Sequence, residues 1–499
     1  MNFLKFLLIS VFIVSFVITY DLAENVCKDI STDNPEECTI ALIAECATPD
    51  GRPLLWKNRD IPNWRQEFHF YEETPYSFIG ITFAGNEEEA WGGVNEVGFA
   101  IVNANAYNFP DSTGVPDDDG IIMYHALQTC ERVADFIAYM DTTAQQGRTH
   151  PAIYGVLDAN GGGGMLEASL YENYWFDAND NAVAPNGIMV RATFAYCGDS
   201  IHVGQFRHDR ALELLDYAVQ SGEISARYII DVVARDLKTE DVDPYPLPYQ
   251  GSLGDSLYGC VQDQNAINRE TSRSCLVVHG VQPGENPLTS TLWAQVGQSV
   301  MTPMIPLWVA ALSVPPEVDG DPYSPMCNRA HQFYEYLYLP YSNPYDDIID
   351  TWKLIDDRGK GLLTYLRDLE GCYYDFVEIT VEGWRTNFPS ANEIAVLQDS
   401  LSALAYQAMM NYNPPLPIDS LVIQIEGEDL RLTWFPVNFS VFGDTISVSG
   451  YSIYTNETLF YNRMSGDSLG FTLDTTFVLP VGVYPLSAFY QVRGVMLEE

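Results

Sequence analysis

The alternation of apolar and polar positions predicts strands along the first half of the chain. Residues 38–60 read CTIALIAECATPDGRPLLWKNRD: an alternating apolar segment, a Pro-Asp-Gly turn and a second apolar segment. This order predicts a strand, a tight turn and a return strand, which would bring Asp60 back beside Cys38. Further alternating runs predict strands within residues 79–107, 152–159, 164–176 and 188–196.

Apolar groups at helical spacing predict helices between these strands. The spacing is helical in residues 120–140, 207–220 and 225–237. Residues 320–412 have the composition of helices and loops, and their sequence indicates no task for them. Strands followed by helices and then by further strands favour an α+β fold in which helices cover sheets.

A stiff linker precedes a C-terminal region with a different pattern of apolar and polar residues. Residues 413–417 read Asn-Pro-Pro-Leu-Pro, which favours an extended chain. Beyond them, short alternating segments follow one another without a helical pattern, which predicts a small all-β sandwich over residues 418–499. The Leu432-x-Trp434 pair and the stretches 450–454 and 490–493 resemble a fibronectin type III module. That resemblance implies a spacer or adhesion unit with Trp434 in its core.

The N-terminal residues have the features of an export signal. A short polar start with one positive charge, Lys5, precedes an apolar run over residues 6–17. The run is short for a membrane-spanning helix. We therefore predict a signal peptide over residues 1–20, an acidic propeptide over residues 21–37, and a protein that is secreted or lies in the periplasm or at the cell surface. We expect no membrane association after the signal is removed.

Length and charge restrict the classes of partner. The chain has 499 residues, which favours two domains over one core. It carries 68 Asp and Glu against 25 Lys and Arg, a formal net charge of −43. Nucleic acid and anionic membrane surfaces would repel such a protein, so neither is an expected partner. The acidity is typical of a solubilising surface.

The cysteines and histidines predict no metal or cofactor site. The nine cysteines include no CxxC pair, and the seven histidines include no HExxH spacing. The four glycines at 161–164 lack the Gly-Lys-Ser/Thr of a phosphate loop. In an exported protein the cysteines could form disulfides, but an odd number leaves at least one outside them. Cys38 is our candidate for that thiol.

Cys38 is also the candidate nucleophile. A thiol beside a carboxylate and a cation at a strand end can act as a nucleophile, and Asp60 and Lys57 would supply those groups. The alternative is a structural cysteine buried in an ordinary hairpin.

The start of this segment resembles the cysteine-type N-terminal-nucleophile hydrolases. That group contains the choloylglycine hydrolases, penicillin V acylases, acid ceramidase-like amidases and isopenicillin-N acyltransferase. Its mature chains begin with Cys, usually Cys-Thr, and a Gly-Arg-Asn-x-Asp motif follows; Cys38-Thr39 and the stretch 56–60 match these features. Lys57 stands where the group has Arg, and it lacks the bidentate fork of a guanidinium. The resemblance covers about residues 38–310 and implies a four-layer αββα sandwich, which we place at residues 38–412.

The resemblance also implies roles for residues near Cys38. Cleavage before Cys38 would give one residue both a thiol and a free α-amine, so that it could supply nucleophile and base. Asp60 would orient the amine or the thiol by a hydrogen bond. Lys57 or Arg59 would favour the thiolate.

Asn105 is the candidate donor to the oxyanion that forms when sulfur attacks an amide carbonyl. In choloylglycine hydrolases an Asn lies ten residues beyond the Asn of an Asn-Glu-x-Gly turn, and Asn105 has that offset from the turn at 95–98. Asn103 is an alternative. Both could instead simply cap a strand end.

Two later positions match less closely. Thr193 stands where the group has a second Asn, so it would offer a hydroxyl in place of an amide. A late Arg beside a Ser-Arg element is matched by Arg273, with Arg269 as the alternative. Either could balance a buried charge on Asp60 or Cys38, or lie at the surface.

These features predict a secreted, self-processing cysteine amidohydrolase. Its substrate would be a small molecule with a linear C–N amide bond, such as an N-acyl amine or an amino-acid amide. The alternatives are a dipeptidase or an acyltransferase with the same nucleophile, or a catalytically degenerate surface protein used in adhesion. The sequence predicts neither the identity of the substrate nor an oligomeric state.

Overall fold

The structure is a computed structural model. It describes residues 37–111, 117–254, 257–339, 348–356, 359–418, 420–426, 429–456, 467–480 and 489–496. The predicted signal peptide and all of the predicted propeptide except Glu37 lie outside the described residues, as does Cys27.

The described chain mixes helices and strands. The strands up to residue 191 are β1 (Thr39–Ile43), β2 (Leu54–Asp60), β3 (Gln66–Tyr71), β4 (Phe78–Phe83), β5 (Gly92–Asn95), β6 (Ala100–Asn105), β7 (Ala152–Leu157), β8 (Gly163–Ala168), β9 (Asn173–Asp177) and β10 (Ile188–Arg191). The strands up to residue 350 are β11 (Ser252–Leu253), β12 (Leu257–Tyr258), β13 (Cys260–Gln262), β14 (Ser272–His279), β15 (Thr291–Val296), β16 (Ile305–Leu307), β17 (Tyr338–Leu339) and β18 (Ile348–Asp350). The helices are α1 (Asp119–Thr129), α2 (Val133–Gln146), α3 (Gln205–Ser221), α4 (Ala226–Tyr228), α5 (Pro325–Leu337), α6 (Thr351–Leu354), α7 (Leu362–Trp384) and α8 (Ala391–Asn411).

A six-stranded antiparallel sheet contains the predicted hairpin. Its strand order is β10-β1-β2-β14-β15-β16. In the hairpin Thr39 lies opposite Asn58 and Ile43 opposite Leu54. Because β10 pairs with the other edge of β1, this strand lies inside the sheet. The chain thus enters the sheet at β1 between two neighbouring strands, and it pairs with β2 from Thr39 and with β10 from Ile40.

A second, seven-stranded sheet packs against the first. It runs in chain order from β3 to β9, with antiparallel neighbours throughout. The two sheets approach closely at Gly155, where an added Cβ would lie 3.2 Å from Leu55 Cδ1 and 3.2 Å from Val102 Cγ2. Apolar side chains of both sheets, among them Ile40 and Leu166, form one buried cluster.

Helices pack on both sheets, and α1 and α2 contribute apolar side chains to the same buried cluster. Helix α1 contacts β4, β5 and β6, whereas α3 contacts β10, α4 contacts β14 and α8 contacts β16. A second buried cluster joins Trp56 and Val277 of the six-stranded sheet to Leu215 of α3 and Tyr374 of α7. Residues 320–412 thus contribute helices to this core. Their sequence alone had indicated no function for them.

The helix predicted over residues 120–140 is two helices. The chain leaves α1 at Cys130, and the Asp135 carboxylate then accepts hydrogen bonds from the backbone amides of Glu131 and Arg132. A side chain that caps the next helix in this way ends the preceding one. The helix predicted over residues 225–237 is the short α4 followed by one π-helical turn at Ile229–Val233.

The C-terminal residues form two small antiparallel sheets. Their strands are β19 (Val422–Glu426), β20 (Asp429–Thr433), β21 (Gly450–Asn456), β22 (Asp467–Thr472), β23 (Thr476–Pro480) and β24 (Phe489–Val495), in the orders β19-β20-β23 and β22-β21-β24. Trp434 is buried in a separate apolar cluster with Tyr451 and Ile453. The fibronectin type III-like assignment stays a prediction.

Within the described part of the chain, none of the helices combines the length and the apolar run that a bilayer crossing requires. The eight described cysteines form no disulfide with one another.

Candidate active site

Cys38 directly precedes an internal strand of the six-stranded sheet. Its residue is 2% exposed and belongs to the buried cluster between the sheets, with Ile40 and Leu55. The register that pairs Ile40 with Lys57 and Thr39 with Asn58 continues to Cys38 opposite Arg59. The thiol and the Arg59 side chain therefore share the face of the hairpin that points to the second sheet.

Asp60 contacts the residue before Cys38 through its backbone. Its backbone oxygen accepts a hydrogen bond from the Glu37 amide at 3.3 Å. Its Oδ1 accepts a hydrogen bond from Ser272 Oγ at 2.6 Å, and among the described residues its buried Oδ2 has no partner. Burial raises the pKa of Asp60 to about 6, although Arg269 and Arg207 act in the opposite direction. A buried carboxylate oxygen without a partner is an acceptor placed for a proton donor.

Glu37 is held by two buried arginines. Its Oε2 accepts a hydrogen bond from Arg207 Nη1 at 2.7 Å and another from Arg269 Nη1. Burial raises the pKa of Glu37, but the attraction of Arg269 and Arg207 outweighs it, so the pKa lies below its ordinary value. The residue before Cys38 is thus an anion bound by charge-assisted hydrogen bonds.

A glycine makes room for one of these arginines. Gly204, immediately before α3, has φ +80°, and an added Cβ would lie 2.6 Å from Arg207 Nη2. Because φ is positive, the backbone conformation at this position favours glycine. The guanidinium of Arg207 occupies the space that a Cβ atom would need.

Lys57 belongs to a buried polar network between the two sheets. Its Nζ donates to the Trp91 carbonyl at 2.9 Å and to Asn103 Oδ1. Asn103 Nδ2 donates in turn to Asp119 at 3.1 Å, and the Tyr154 hydroxyl donates to the same carboxyl at 2.9 Å. Burial raises the pKa of Asp119 well above its ordinary value. This network engages both polar atoms of the Asn103 amide.

Asn105 lies at the end of β6 and is 5% exposed. Its Nδ2 donates to the Tyr107 hydroxyl at 2.9 Å.

Arg59 lies with its guanidinium carbon 4.4 Å from the centre of the Phe83 ring and 4.7 Å from that of Trp91. Aromatic rings in this position hold a buried cation in place.

Thr193 and Arg273 occupy different surroundings. Thr193 follows β10, its hydroxyl donates to the Val203 carbonyl at 2.9 Å, and it accepts from Arg207 Nη2 at 3.4 Å. Arg273 lies at a bulge of β14, with its guanidinium carbon 4.9 Å from the centre of the Tyr334 ring. Of the two arginines that the sequence left as alternatives, Arg269 is the one that binds Glu37.

The sequence did not reveal the partners of Asp60 and Glu37. Arg207 stands in an Arg-His-Asp-Arg run that is typical of ion pairs at a helix start, and its neighbour Arg210 does form one: Arg210 Nη1 lies 2.8 Å from Glu213 Oε2. No local pattern distinguishes Arg207, because Glu37 lies in a distant part of the sequence.

A group of side chains around Glu67 could hold a cation. Ligand atoms of Glu67, His69 and Asp319 lie within 4.8 Å of one another. The Glu67 carboxylate already accepts hydrogen bonds from the amides of Gly85 and Gly320, each at 2.9 Å. Asp319 raises the pKa of His69, so the group also compensates its own charge.

Comparisons with known proteins give likeness in structure only. No family model matches the chain, and no curated protein matches it. A variant of the conjugated bile acid hydrolase from Clostridium perfringens is similar with a TM-score of 0.34 and 12% identity, over 55% of this chain and 92% of that one. Penicillin V acylase from Agrobacterium tumefaciens has a TM-score of 0.33 and 11% identity, over 54% of this chain and 86% of that one. A penicillin G acylase from Alcaligenes faecalis has a TM-score of 0.29 and 8% identity, over 39% and 51%. Likenesses at this level support no inference about activity, so the proposals below rest on the site itself.

Proposed function

We propose that this protein is a self-processing cysteine amidohydrolase of the cysteine-type N-terminal-nucleophile group, with Cys38 as its nucleophile. Residues 38–412 would be its four-layer αββα catalytic domain, and residues 418–499 a fibronectin type III-like module. One observation carries the proposal: Cys38 directly precedes an internal strand, and the residue before it, Glu37, donates its backbone amide to the backbone oxygen of Asp60, whose buried Oδ2 has no hydrogen-bond partner among the described residues.

Self-processing would use the same sulfur as turnover. Cys38 Sγ attacks the Glu37 carbonyl carbon, the C–N bond breaks, and the acyl group passes from nitrogen to sulfur. Water then cleaves the thioester, which leaves a carboxylate on Glu37 and restores the thiol. We propose that the α-amine freed on Cys38 donates a hydrogen bond to Asp60 Oδ2, the buried oxygen that has no partner among the described residues.

Turnover would repeat this sequence with a substrate amide. The α-amine, with a reference pKa near 8, takes the thiol proton as sulfur attacks the substrate carbonyl and then passes it to the leaving amine. Asn105 Nδ2 is the proposed donor to the oxyanion. Lys57, Thr193 and Arg273 are the proposed positioning residues. Water hydrolyses the thioester and releases the acid.

The proposed setting is outside the cytoplasm. A signal peptide at residues 1–20 would be removed first, and residues 21–37 would leave when Cys38 is unblocked. The proposed substrates are small-molecule amides, either N-acyl amines or amino-acid amides.

Intact mass and N-terminal sequencing of the purified protein test the processing step. We expect the wild-type chain to begin at Cys38. A Cys38→Ala variant should keep the Glu37–Cys38 bond and lose amide hydrolysis by at least about 10⁴-fold. Cys275→Ala is the matched control, since Cys275 is also a buried cysteine of the same sheet and should be dispensable. A wild-type protein that hydrolyses amides with this bond intact would contradict the proposal.

A substrate panel separates the related activities. N-acyl amines, amino-acid amides and dipeptides are supplied in parallel, each with and without an acceptor amine. Hydrolysis of the first two classes supports the amidohydrolase, hydrolysis of dipeptides alone supports a dipeptidase, and formation of a conjugate supports acyl transfer. Failure to turn over any amide, together with no labelling of Cys38 by a thiol-directed amide reagent, would favour a degenerate adhesion protein.

A further inference from the structure

Arg207 and Arg269 form a buried pair of cations from separate parts of the chain. Arg207 lies in α3 and is 0% exposed, and Arg269 lies before β14 and is 6% exposed. Both donate to the same oxygen of Glu37. In addition, the Nε of each arginine is buried and has no hydrogen-bond partner among the described residues. Each arginine thus has one buried N–H that no acceptor among the described residues uses.

Glu37 offsets part of the charge of this pair, and Asp60 acts in the same direction. Burial and the repulsion of Arg269 lower the pKa of Arg207, while Glu37 and Asp60 act to raise it. When processing removes Glu37, two buried guanidinium groups remain with Asp60. Buried charge without a counter-charge is costly, so the emptied position favours another anion.

The position of this anion relative to the sulfur follows from covalent structure. Glu37 is the first acyl group that Cys38 carries, and any substrate acyl group bound to the same sulfur starts from the same carbonyl position. The carbon chain that joins the Glu37 carbonyl to its carboxylate is that of a glutaryl group. We infer that Arg207 and Arg269 become, after processing, a subsite for a carboxylate on the acyl half of the substrate, so that the preferred substrates are glutaryl or glutamyl amides.

This inference rests on the proposed function, and a matched pair of substrates tests it. N-Glutaryl-4-nitroanilide carries the carboxylate, and the 4-nitroanilide of glutaric acid monoamide replaces it with a neutral amide of the same size. With processed wild-type protein, we expect kcat/KM to be about 10- to 100-fold higher for the acid, because charge-assisted hydrogen bonds distinguish the two. The succinyl anilide, shorter by one carbon, should lose most of this advantage.

Variants assign the preference to the arginines. In Arg269→Gln the ratio of the two kcat/KM values should fall to about one-tenth of the wild-type ratio or lower. Arg227→Gln is the control with the same loss of charge, because Arg227 has a side chain that is 44% exposed and pairs with Asp231 and Asp375. Its ratio should equal that of the wild type.

A measurement on the wild type covers the case in which Arg269→Gln fails to fold or to process. Free glutarate should slow alkylation of Cys38 by iodoacetamide, and the monoamide should slow it about 10-fold less well at equal concentration. Equal hydrolysis of the acid and the neutral anilide, or equal protection by the two compounds, would overturn the subsite and leave the amidohydrolase standing. An intact Glu37–Cys38 bond without turnover of any anilide would overturn both.

Discussion

Asp60 is a carboxyl group whose protonation depends on whether Glu37 is present. Burial raises its pKa to about 6, and the negative charge of Glu37 contributes to that rise, while Arg269 and Arg207 oppose it. Loss of Glu37 removes one contribution that raises the pKa and leaves both arginines. We therefore expect processing to lower the pKa of Asp60, which keeps it ionised beside the new α-amine.

The unprocessed chain should lose stability as Asp60 ionises. A carboxyl group with a raised pKa in the folded state contributes stability below its unfolded pKa, and that contribution is lost as pH rises through about 6. In a Cys38→Ala background, the added Asp60→Asn change should remove this loss, which amounts to at most about 3 kcal/mol between pH 4 and pH 7. Urea unfolding at several pH values measures it, with the exposed Asp241→Asn as control. Parallel pH profiles with and without the Asp60→Asn change would contradict the expectation.

Glu37 should stabilise the unprocessed chain. In the Cys38→Ala background, Glu37→Gln removes the counter-charge of two buried arginines, and we expect the free energy of unfolding to fall by about 2 kcal/mol at pH 7. Because the pKa of Glu37 is lowered in the folded state, the difference should shrink as pH falls through that pKa. Denaturant titrations measure both effects. Glu240→Gln, at an exposed position, is the control, and an equal loss in the two variants would contradict the role of the arginines.

At the level of residues, the sequence predicted the contacts between residues that are close together in the chain. Cys38 and Asp60 lie at the two ends of one hairpin, so alternation and a turn were enough to bring them close. Arg207 and Arg269 reach Glu37 only through the packing of α3 and the approach to β14, and no spacing rule relates them to it. For Asn103 the sequence suggested a role that the contacts do not favour. It was an alternative oxyanion donor, but its side-chain amide accepts a hydrogen bond from Lys57 and donates one to Asp119.

At the level of elements, strands were predicted better than the helices that cover them. Most strands were visible as short apolar runs bounded by turn residues, and in the structure both faces of strands such as β1, β2 and β7 are buried. The run 164–176 nevertheless proved to be two strands, β8 and β9, joined by a turn in which the Ser169 hydroxyl accepts hydrogen bonds from the amides of Tyr171 and Glu172. The composition of residues 320–412 indicated helices and loops, but the bounds of helices α7 and α8 were not predicted, since their apolar residues meet partners that only the fold supplies.

The pairing of β4 with β5 depends on a glycine. An added Cβ at Gly93 would lie 2.1 Å from the Ile79 oxygen and 2.9 Å from Gly80 Cα, atoms of the backbone that cannot move aside separately. Gly93→Ala should therefore destabilise the protein by about 3 kcal/mol. Thermal and urea unfolding measure the change.

Gly371→Ala is the matched substitution for Gly93→Ala. Gly371 lies inside α7, and an added Cβ would meet only Arg227 Nη2 at 3.9 Å. Alanine should stabilise this helix by about 0.5–1 kcal/mol, because it restricts the unfolded chain and favours helix. Similar effects of the two substitutions would show that the close approach at Gly93 is not the cause.

At the level of the whole molecule, the net charge of −43 opposes compactness. Salt should therefore raise the unfolding temperature between about 0.01 M and about 1 M NaCl, as the Debye length falls from roughly 30 Å to roughly 3 Å. A titration with an uncharged osmolyte separates screening from general exclusion effects. An unfolding temperature that falls with salt would mean that attractive ion pairs outweigh the repulsion.

Contacts also join the region of the C-terminal strands to the helices before it. The Arg329 guanidinium carbon of α5 lies 4.0 Å from the centre of the Phe442 ring, and the Phe333 ring lies 5.5 Å from it. The proline-rich stretch and the change in hydrophobic pattern did not indicate this contact. Both are properties of the linear sequence, and neither says which residues pack together in the fold.

The place of β1 between β10 and β2 decides how a cut before Cys38 would behave. Chain ends usually fray, since nothing holds their last residues. Here the cut would leave an end one residue before a strand that pairs with β2 from Thr39 and with β10 from Ile40, so the amide protons of β1 should exchange only when the sheet itself opens. Only one residue, Cys38, would then precede the paired strand, which keeps its sulfur close to the sheet after the preceding peptide leaves.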